Sequence, residues 1–179
     1  MKFVARTDIG KRRRHNEDCY LIDDKIGLFV IADGMGGHNA GDVASQLAVD
    51  VFREWTESSS ITDLFVSEKT TIVDTIDQLV VDANTRIYTE SKMSPTHHGM
   101  GTTLIAGICQ DNLISYVHIG DSRIYLIRQG SITQITIDHS HVQEMVDNGI
   151  ITVEEARVHQ NRHIINRAVG LNQTVVADT

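Results

Sequence analysis

The sequence has few of the residues that mark specialised classes of protein. Of its 179 residues, two are cysteine and one is proline. Cys19 and Cys109 are too few for a disulfide framework and are typical of a protein in the reducing cytosol. The single proline, Pro95, excludes a proline-rich linker or a collagen-like repeat. We therefore predict a cytoplasmic protein that folds without disulfide bonds.

Long apolar runs and surplus positive charge are also missing. No run approaches the ~20 apolar residues of a membrane-spanning helix, and no apolar stretch of signal-peptide length follows the N-terminus. Sixteen basic residues against 24 acidic ones give a formal net charge of −8, whereas nucleic-acid binding favours a basic surface. The sequence therefore predicts neither a membrane span nor a nucleic-acid partner. With 41% hydrophobic residues and a length typical of one domain, we expect a single domain over residues 1–179.

Hydrophobic periodicity predicts two long helices flanked by strands. Apolar residues recur at helical spacing over about residues 40–55 and again from Ile72 to Ile87, where the second helix is expected to end before Ser91. The tail from His141 is again helical, and Thr152 with Glu155 forms a capping box. The β-rich runs are Phe3–Thr7, Cys19–Ile22, Leu28–Ala32, Thr102–Cys109, Asn112–Ile119, Arg123–Arg128 and Ser131–Ile137. This order predicts an α+β fold in which helices cover an antiparallel sheet.

The segment Asp33-Gly34-Met35-Gly36-Gly37 stands where an apolar strand is expected to end. Carboxylate and carbonyl oxygens suit hard cations such as Mg²⁺ and Mn²⁺, and glycine lets the backbone approach an ion closely. The same residues also suit a tight turn before a helix. A P-loop is disfavoured because no Gly-Lys-Ser/Thr follows. A metal site and a turn thus remain as alternatives here.

Three further groups of polar residues are ambiguous on their own. In Arg13-Arg14-His15-Asn16-Glu17-Asp18, a guanidinium suited to phosphate precedes a carboxylate suited to a metal, and an exposed basic loop explains the same residues. Gly120-Asp121-Ser122-Arg123 is by itself an ordinary hairpin turn. The pairs His97-His98 and His139/His141 lack the spacing of a structural zinc site, so we expect these histidines to be mostly exposed.

Taken together, the motifs occur in a characteristic order. They are Thr7-Asp8-Ile9-Gly10 with Arg13 to Asp18, Ile31 to His38 with Ala40-Gly41, Gly99 to Thr103, His118 to Tyr125, Asp138 to Thr152, and His159 to Gly170. In this order and spacing they resemble the metal-dependent serine/threonine protein phosphatases of type 2C, in their bacterial branch. In the last motif, Gln160 and His163 depart from the usual residues. The resemblance covers essentially the whole chain.

This resemblance implies a fold, a cofactor and a set of site residues. The implied fold is an antiparallel β-sandwich of two sheets with helices outside each, in α-β-β-α layers, with a mobile flap over residues 138–157. The implied cofactor is a binuclear Mn²⁺ or Mg²⁺ centre that activates a water molecule. Asp18 and Asp33 would be carboxylate ligands, with Asp33 bridging the ions and Gly34 ligating through its carbonyl. Arg13 would hold the substrate phosphate, and Asp121 would serve a third, weaker metal site.

The resemblance also implies what the protein acts on and what this sequence lacks. Substrates would be proteins phosphorylated by a serine/threonine kinase, and the enzyme would be a monomer. Glu17 is expected to support the site as an additional acid. The family's late Ser-Asp-Gly and Asp-Asn motifs, which each supply a metal-binding aspartate, do not occur after residue 121. We therefore expect C-terminal strands to be missing and residues 1–179 alone to be weakly active or inactive. The alternative is a non-catalytic module that binds phosphoproteins or another signalling domain.

Overall fold

The computed structural model describes residues 2–37, 40–58 and 69–179. Two strands come first, followed by two long helices, five short strands and two short helices. In chain order they are β1 (Asp18–Asp23), β2 (Leu28–Met35), α1 (Ala40–Glu57), α2 (Lys69–Met93), β3 (Gly101–Thr102), β4 (Leu104–Gln110), β5 (Leu113–Ile119), β6 (Tyr125–Arg128), β7 (Ser131–Gln134), α3 (His141–Asp147) and α4 (Val153–Val158). A short 3₁₀ helix, Pro95–His97, follows α2.

The main sheet has the strand order β1-β2-β4-β5, and β3 pairs with the end of β2. Every pairing is antiparallel. The apolar run in β2 forms a strand because it lies between two partners and alternates its side chains between the two faces. Leu28 and Val30 are completely buried on one face, whereas Ile31 on the other face is 47% exposed.

Helices α1 and α2 cover one face of this sheet and form the core with it. The largest completely buried side chains on the helices include Phe52 of α1 and Ile76 and Ile87 of α2. These residues stand at the helical spacing that the sequence shows, so the amphipathic faces point at the sheet. The core is therefore a two-layer packing of helices on a sheet.

The opposite face of the sheet is only partly covered. Tyr20 and Ile31, which pair across β1 and β2, are 40% and 47% exposed. Among the described residues, no second sheet packs face to face with the first, and the β6–β7 hairpin is the remaining sheet. The α+β class, the antiparallel pairing and the outer helices are as predicted. Of the two sheets of the predicted sandwich, the described residues form one, together with the helices that cover it.

Several element predictions are confirmed and two need correction. The strands β1, β2, β4 and β5, both long helices and the capping box at Thr152 are present as predicted. Phe3–Thr7 is not a strand, because no other strand in the described part of the chain pairs with it. Helix α2 continues past Ser91 to Met93, since Ser91 turns its hydroxyl to the Tyr88 carbonyl oxygen instead of capping the helix.

The segment after the hairpin reconnects to the sheet near its far edge. Asp178 forms an antiparallel bridge with His118 of β5, and its backbone exchanges two hydrogen bonds with that residue. Both cysteines, Cys19 and Cys109, are free and partly buried. None of the helices in the described ranges combines the length and apolar character that a membrane crossing requires.

Candidate active site

The register between β1 and β2 places two carboxylates opposite each other. Asp18 pairs with Asp33 across the two strands, at the distance where cross-strand side chains interact. Partial burial, the neighbouring charges of Asp18 and Asp121, and a hydrogen bond with Asp18 raise the pKa of Asp33 to about 6. The Arg13 guanidinium opposes that rise. The fold therefore gathers negative charge that a cation would relieve.

Gly34 follows Asp33 because the backbone there has no room for a side chain. A Cβ on Gly34 would overlap the carbonyl oxygen of Gly41 in α1 and lie 2.8 Å from the carbonyl oxygen of Glu17. The Gly34 N–H donates to that Glu17 oxygen over 2.9 Å. The glycine thus lets α1 begin directly against β2, so close packing explains why a glycine stands at this position.

Two hydroxyl groups connect the turn that carries Asp121 to the end of β2. The Asp33 N–H donates to the Thr103 hydroxyl over 3.0 Å, and that hydroxyl lies 2.8 Å from the Ser122 hydroxyl. The Thr103 N–H in turn donates to the Asp33 carbonyl oxygen over 2.9 Å. Thr103 and Ser122 therefore hold the turn at residues 120–122 against the end of β2. The sequence predicted neither role, although both residues stand in motifs that carry the resemblance.

The N-terminal segment positions Asp18 and Arg13. The Thr7 hydroxyl donates to Asp18 Oδ2 over 3.3 Å, and the Asn16 side-chain amide donates to the Thr7 hydroxyl over 2.7 Å. Arg13 Nη1 donates to Glu17 Oε2 over 2.6 Å, and the Arg13 side chain is 65% exposed while that of Glu17 is 15% exposed. Glu17 therefore orients an arginine that stays accessible to a ligand.

A cavity of about 440 Å³ brings these groups together. Four of the five predicted site residues line it, namely Arg13, Asp33, Gly34 and Asp121. Asp18 reaches it through its contact with Asp33. The cavity is also lined by His163, which sequence reasoning noted only as a departure from the family pattern. His163 comes from the segment after α4, and only the folded chain places it here.

The donor set fits a hard divalent cation. The Asp18, Asp33 and Asp121 carboxylates and the Gly34 carbonyl are all oxygen donors, which Mn²⁺ and Mg²⁺ prefer. Their mutual repulsion is visible in the raised pKa of Asp33. Among the described side chains, however, no three of His, Cys, Asp or Glu converge closely enough to hold a metal ion by themselves. These residues therefore supply some, and by themselves not all, of the oxygen donors that such a cation would need.

The prediction that the histidine pairs are mostly exposed is wrong for His139. This side chain is 7% exposed, and its Nδ1 accepts a hydrogen bond from the Gly120 N–H over 3.0 Å. Its Nε2 lies 3.1 Å from Asp178 Oδ2. The imidazole is buried because it links the turn at Gly120 to the C-terminal segment. It therefore supports the loop that carries Asp121.

Comparison with known proteins gives a consistent result. The protein phosphatase 2C family model matches residues 11–171. The serine/threonine phosphatase stp of Listeria innocua is 40% identical, and the match covers 97% of this chain and 69% of that protein. The serine/threonine protein phosphatase PstP of Mycobacterium tuberculosis is 41% identical, and the match covers 94% of this chain and 31% of that protein.

A solved structure agrees with these relatives. The catalytic domain of PstP in complex with two manganese ions superposes with a TM-score of 0.79 at 38% identity, over 97% of this chain and 69% of that one. The predicted resemblance, the fold class and the predicted enzyme class are thereby confirmed. The chain belongs to the protein phosphatase 2C family of serine/threonine phosphatases.

Proposed function

We propose that this protein hydrolyses phosphoserine and phosphothreonine in phosphorylated proteins, with two Mn²⁺ or Mg²⁺ ions as cofactor. The observation that carries the proposal is that Arg13, Asp33, Gly34 and Asp121 line one and the same cavity. It combines a phosphate-binding cation with hard oxygen donors. The names of the relatives and the manganese in the PstP structure support the same chemistry.

Each group has a role that follows from its chemistry. Arg13, oriented by Glu17, binds the phosphate oxygens and neutralises their charge during the reaction. Asp18, Asp33 and the Gly34 carbonyl would hold the two ions, and Asp121 would serve a third. When bound, the ions would supply water activation and Lewis-acid stabilisation of the phosphoryl group.

We also propose that His163 protonates the departing serine or threonine oxygen. Among the side chains that line the cavity, arginine does not release its proton, and the Glu17 carboxylate is paired with Arg13. Asp33 and Asp121 serve as ligands in this proposal. Histidine is the side chain that exchanges protons near neutral pH, and His163 is exposed at the rim of the cavity.

The setting of the reaction is part of the proposal. Substrates are proteins phosphorylated by a serine/threonine kinase, because the relatives are named as serine/threonine phosphatases. Two free cysteines fit a reducing cytoplasm, and the relatives come from bacteria. We propose a monomeric enzyme in a bacterial signalling pathway.

The test is a hydrolysis assay with excess Mn²⁺ on para-nitrophenyl phosphate and on phosphoserine and phosphothreonine peptides. We expect slow, metal-dependent release of phosphate that Asp33→Asn abolishes and that the surface variant Glu54→Gln leaves unchanged. His163→Gln should lower peptide hydrolysis about 100-fold more than hydrolysis of para-nitrophenyl phosphate, whose leaving group needs no acid. Release of phosphate that is independent of Asp33 would contradict the metal site.

The alternative is a module that binds phosphoproteins without hydrolysing them. It is favoured by the observation that no three described acidic, histidine or cysteine side chains by themselves enclose an ion. Under this alternative, phosphopeptides bind in an Arg13-dependent manner and no phosphate is released at any Mn²⁺ concentration. The same assay, combined with a peptide-binding measurement, therefore separates the two functions.

A further inference from the structure

A second, larger cavity adjoins the candidate active site. Its volume is about 620 Å³, within the usual range of ligand-binding pockets. It lies between the β6–β7 hairpin and helices α3 and α4. The two cavities share Asp121 and His163 as lining residues. A substrate peptide that extends from the first cavity past these two residues therefore enters the second. A ligand longer than a phosphate group can therefore occupy both.

On one side of this second cavity, the charged side chains are already paired with each other. Arg123 forms two hydrogen bonds with Asp138, from Nε to Oδ1 over 2.7 Å and from Nη2 to Oδ2 over 2.6 Å. The Gln134 side-chain amide donates to the Thr136 carbonyl oxygen over 2.8 Å. These groups satisfy each other, so they form a fixed polar wall and offer little charge to a ligand.

The other side presents two arginines that have no acidic partner. Arg157 in the last turn of α4 and Arg162 just beyond it are both exposed and both line the cavity. Among the described residues, the Arg162 guanidinium donates a hydrogen bond to the His159 carbonyl oxygen over 3.2 Å, and neither arginine forms an ion pair with a carboxylate. In a chain of net charge −8, this unpaired positive charge marks the side of the cavity that suits an anion.

Apolar side chains lie between the polar wall and the arginines. They are Val142 and Val146 of α3 and Val153 and Ala156 of α4. Val142 is 8% exposed and Val153 is 52% exposed, so the apolar surface opens outward. An acidic residue of a peptide fits such a cavity, because its carboxylate can pair with the arginines while its methylene groups and the peptide backbone cover the valines.

We infer that this cavity binds the part of a phosphoprotein substrate next to the phosphorylated residue and selects for acidic side chains there. The inference rests on the proposed function, because it places the phosphate itself in the first cavity. Arg157 and Arg162 are the selecting residues. They do not contact the reacting phosphorus, and they determine which phosphorylated sites are bound well.

The experiment measures binding of fluorescent peptides to the full 179-residue chain with excess Mn²⁺, and each phosphoserine carries a methylene group in place of its ester oxygen so that it is not hydrolysed. Three peptides are compared: phosphoserine flanked by glutamate, phosphoserine flanked by alanine, and unphosphorylated serine flanked by glutamate. We expect the glutamate-flanked phosphopeptide to bind about tenfold more tightly than the alanine-flanked one. The double variant Arg157→Gln/Arg162→Gln should remove this preference and leave the affinity for the alanine-flanked peptide within about twofold.

Two further variants make the result specific. Arg128→Ala removes an exposed arginine of β6 that does not line the cavity, and should change neither affinity. Arg157→Glu/Arg162→Glu should invert the preference, so that a lysine-flanked phosphopeptide binds more tightly than the glutamate-flanked one. An inverted preference cannot arise from misfolding.

The outcomes separate this inference from the proposed function. Equal affinity for the glutamate- and alanine-flanked phosphopeptides, or no effect of the charge reversal, overturns the inference and leaves the proposed hydrolysis standing. Binding of the unphosphorylated glutamate peptide that depends on Arg157 and Arg162 supports the inference even if no phosphate is released in the hydrolysis assay. Absence of binding by every peptide overturns it.

Discussion

The helix-covered face of the sheet and the segment of residues 138–158 differ in how much apolar surface they bury. In the sheet and its helices, Leu28, Phe52 and Ile76 are completely buried. In the segment, Val142 is the buried residue of α3, and α4 contributes none. The first region holds the candidate carboxylate ligands Asp18 and Asp33 on paired strands, whereas the second carries the exposed arginine of α4.

This difference in packing suits the two regions to different functions at the site. Metal coordination needs oxygen atoms fixed to fractions of an ångström, which paired strands in a well-packed sheet supply. Contacts with varied substrate sequences tolerate a region of low local stability that adapts to each peptide. In the proposed function, a packed sheet positions the metal ligands, and a lightly packed helical segment presents charge to the substrate.

The largest expected effect tests the packing of the sheet region. Phe52→Ala removes a completely buried ring between α1 and the sheet and should lower the free energy of unfolding by about 3–5 kcal/mol. Val142→Ala in α3 should cost roughly 1 kcal/mol, because it removes less apolar volume from a less buried place. Chemical denaturation followed by circular dichroism measures both values. Equal losses would show that the two regions are packed alike.

The next effect concerns phosphate binding at the edge of the sheet. Arg13→Ala should weaken phosphopeptide binding at least about tenfold, because it removes a charge-assisted contact. Arg12→Ala and Arg14→Ala should change it much less, since neither lines the 440 Å³ cavity. Fluorescence anisotropy with one phosphopeptide compares the three variants. Small, equal losses of affinity at all three positions would favour the interpretation of this segment as an exposed basic loop.

A third prediction compares the mobility of the two regions directly. Amide hydrogens of α3 and α4 should exchange with solvent at least about tenfold faster than those of β2 and β5, because little apolar surface must be exposed to open them. Hydrogen exchange followed by mass spectrometry measures this difference in the unmodified protein. Equal protection of residues 138–158 and of β2 would assign the segment to the core.

The smallest expected effect lies at the junction of the two regions. His118 of β5 and His139 are buried, and their ring centroids are 4.6 Å apart. Burial lowers the pKa of both imidazoles, with the neighbouring imidazole adding to the shift at His118 and the Arg167 guanidinium at His139, while Asp178 and Asp138 oppose it. An unperturbed histidine has a pKa of about 6.5. Because the pKa of these two histidines is lower in the folded state, the unfolded chain binds more protons than the folded chain as the pH falls below that value.

The sign of the pH dependence follows from that difference. The contribution of the two histidines to stability is complete above about pH 6.5 and declines as the pH falls below it. The histidine contribution to the midpoint of thermal unfolding should therefore decrease between pH 7.5 and pH 5.5, by less than the drop caused by Phe52→Ala. The raised pKa of Asp33, about 6, acts with the opposite sign in this range, so the test compares the pH slopes of variants and not the net change. His139→Gln should reduce the slope, and His98→Gln, which changes an exposed histidine, should not. An unchanged slope in His139→Gln would exclude this histidine as a source.

The secondary structure followed from the sequence where periodicity was strong. The apolar positions of α1 and α2 and the continuous run of β2 correspond to the observed elements. Prediction failed where a partner decided the outcome. Phe3–Thr7 has strand-like composition but no strand beside it, and a strand without a partner leaves its backbone hydrogen bonds unmade.

The candidate site divides in the same way. Arg13, Asp18, Asp33, Gly34 and Asp121 were predicted through the resemblance of the ordered motifs to the type 2C phosphatases, since the chemistry of each motif by itself also allowed an ordinary turn or an exposed loop. The sequence did not predict how these residues come together in space. Their convergence depends on the register that pairs Asp18 with Asp33 and on the Thr103–Ser122 contact that holds the turn at Asp121.

By itself, then, the sequence determined the class of elements, the oxygen-rich chemistry of the site and the family, because each depends on local periodicity or on short spacings. Only the tertiary structure decided that His139 is buried beneath the turn, that His163 reaches the cavity of Asp33, and that Arg157 and Arg162 line its extension. His163 and Asp33 lie far apart in the sequence, as do Arg162 and Asp121. Side chains so widely separated meet according to strand register and helix packing, which no local pattern records.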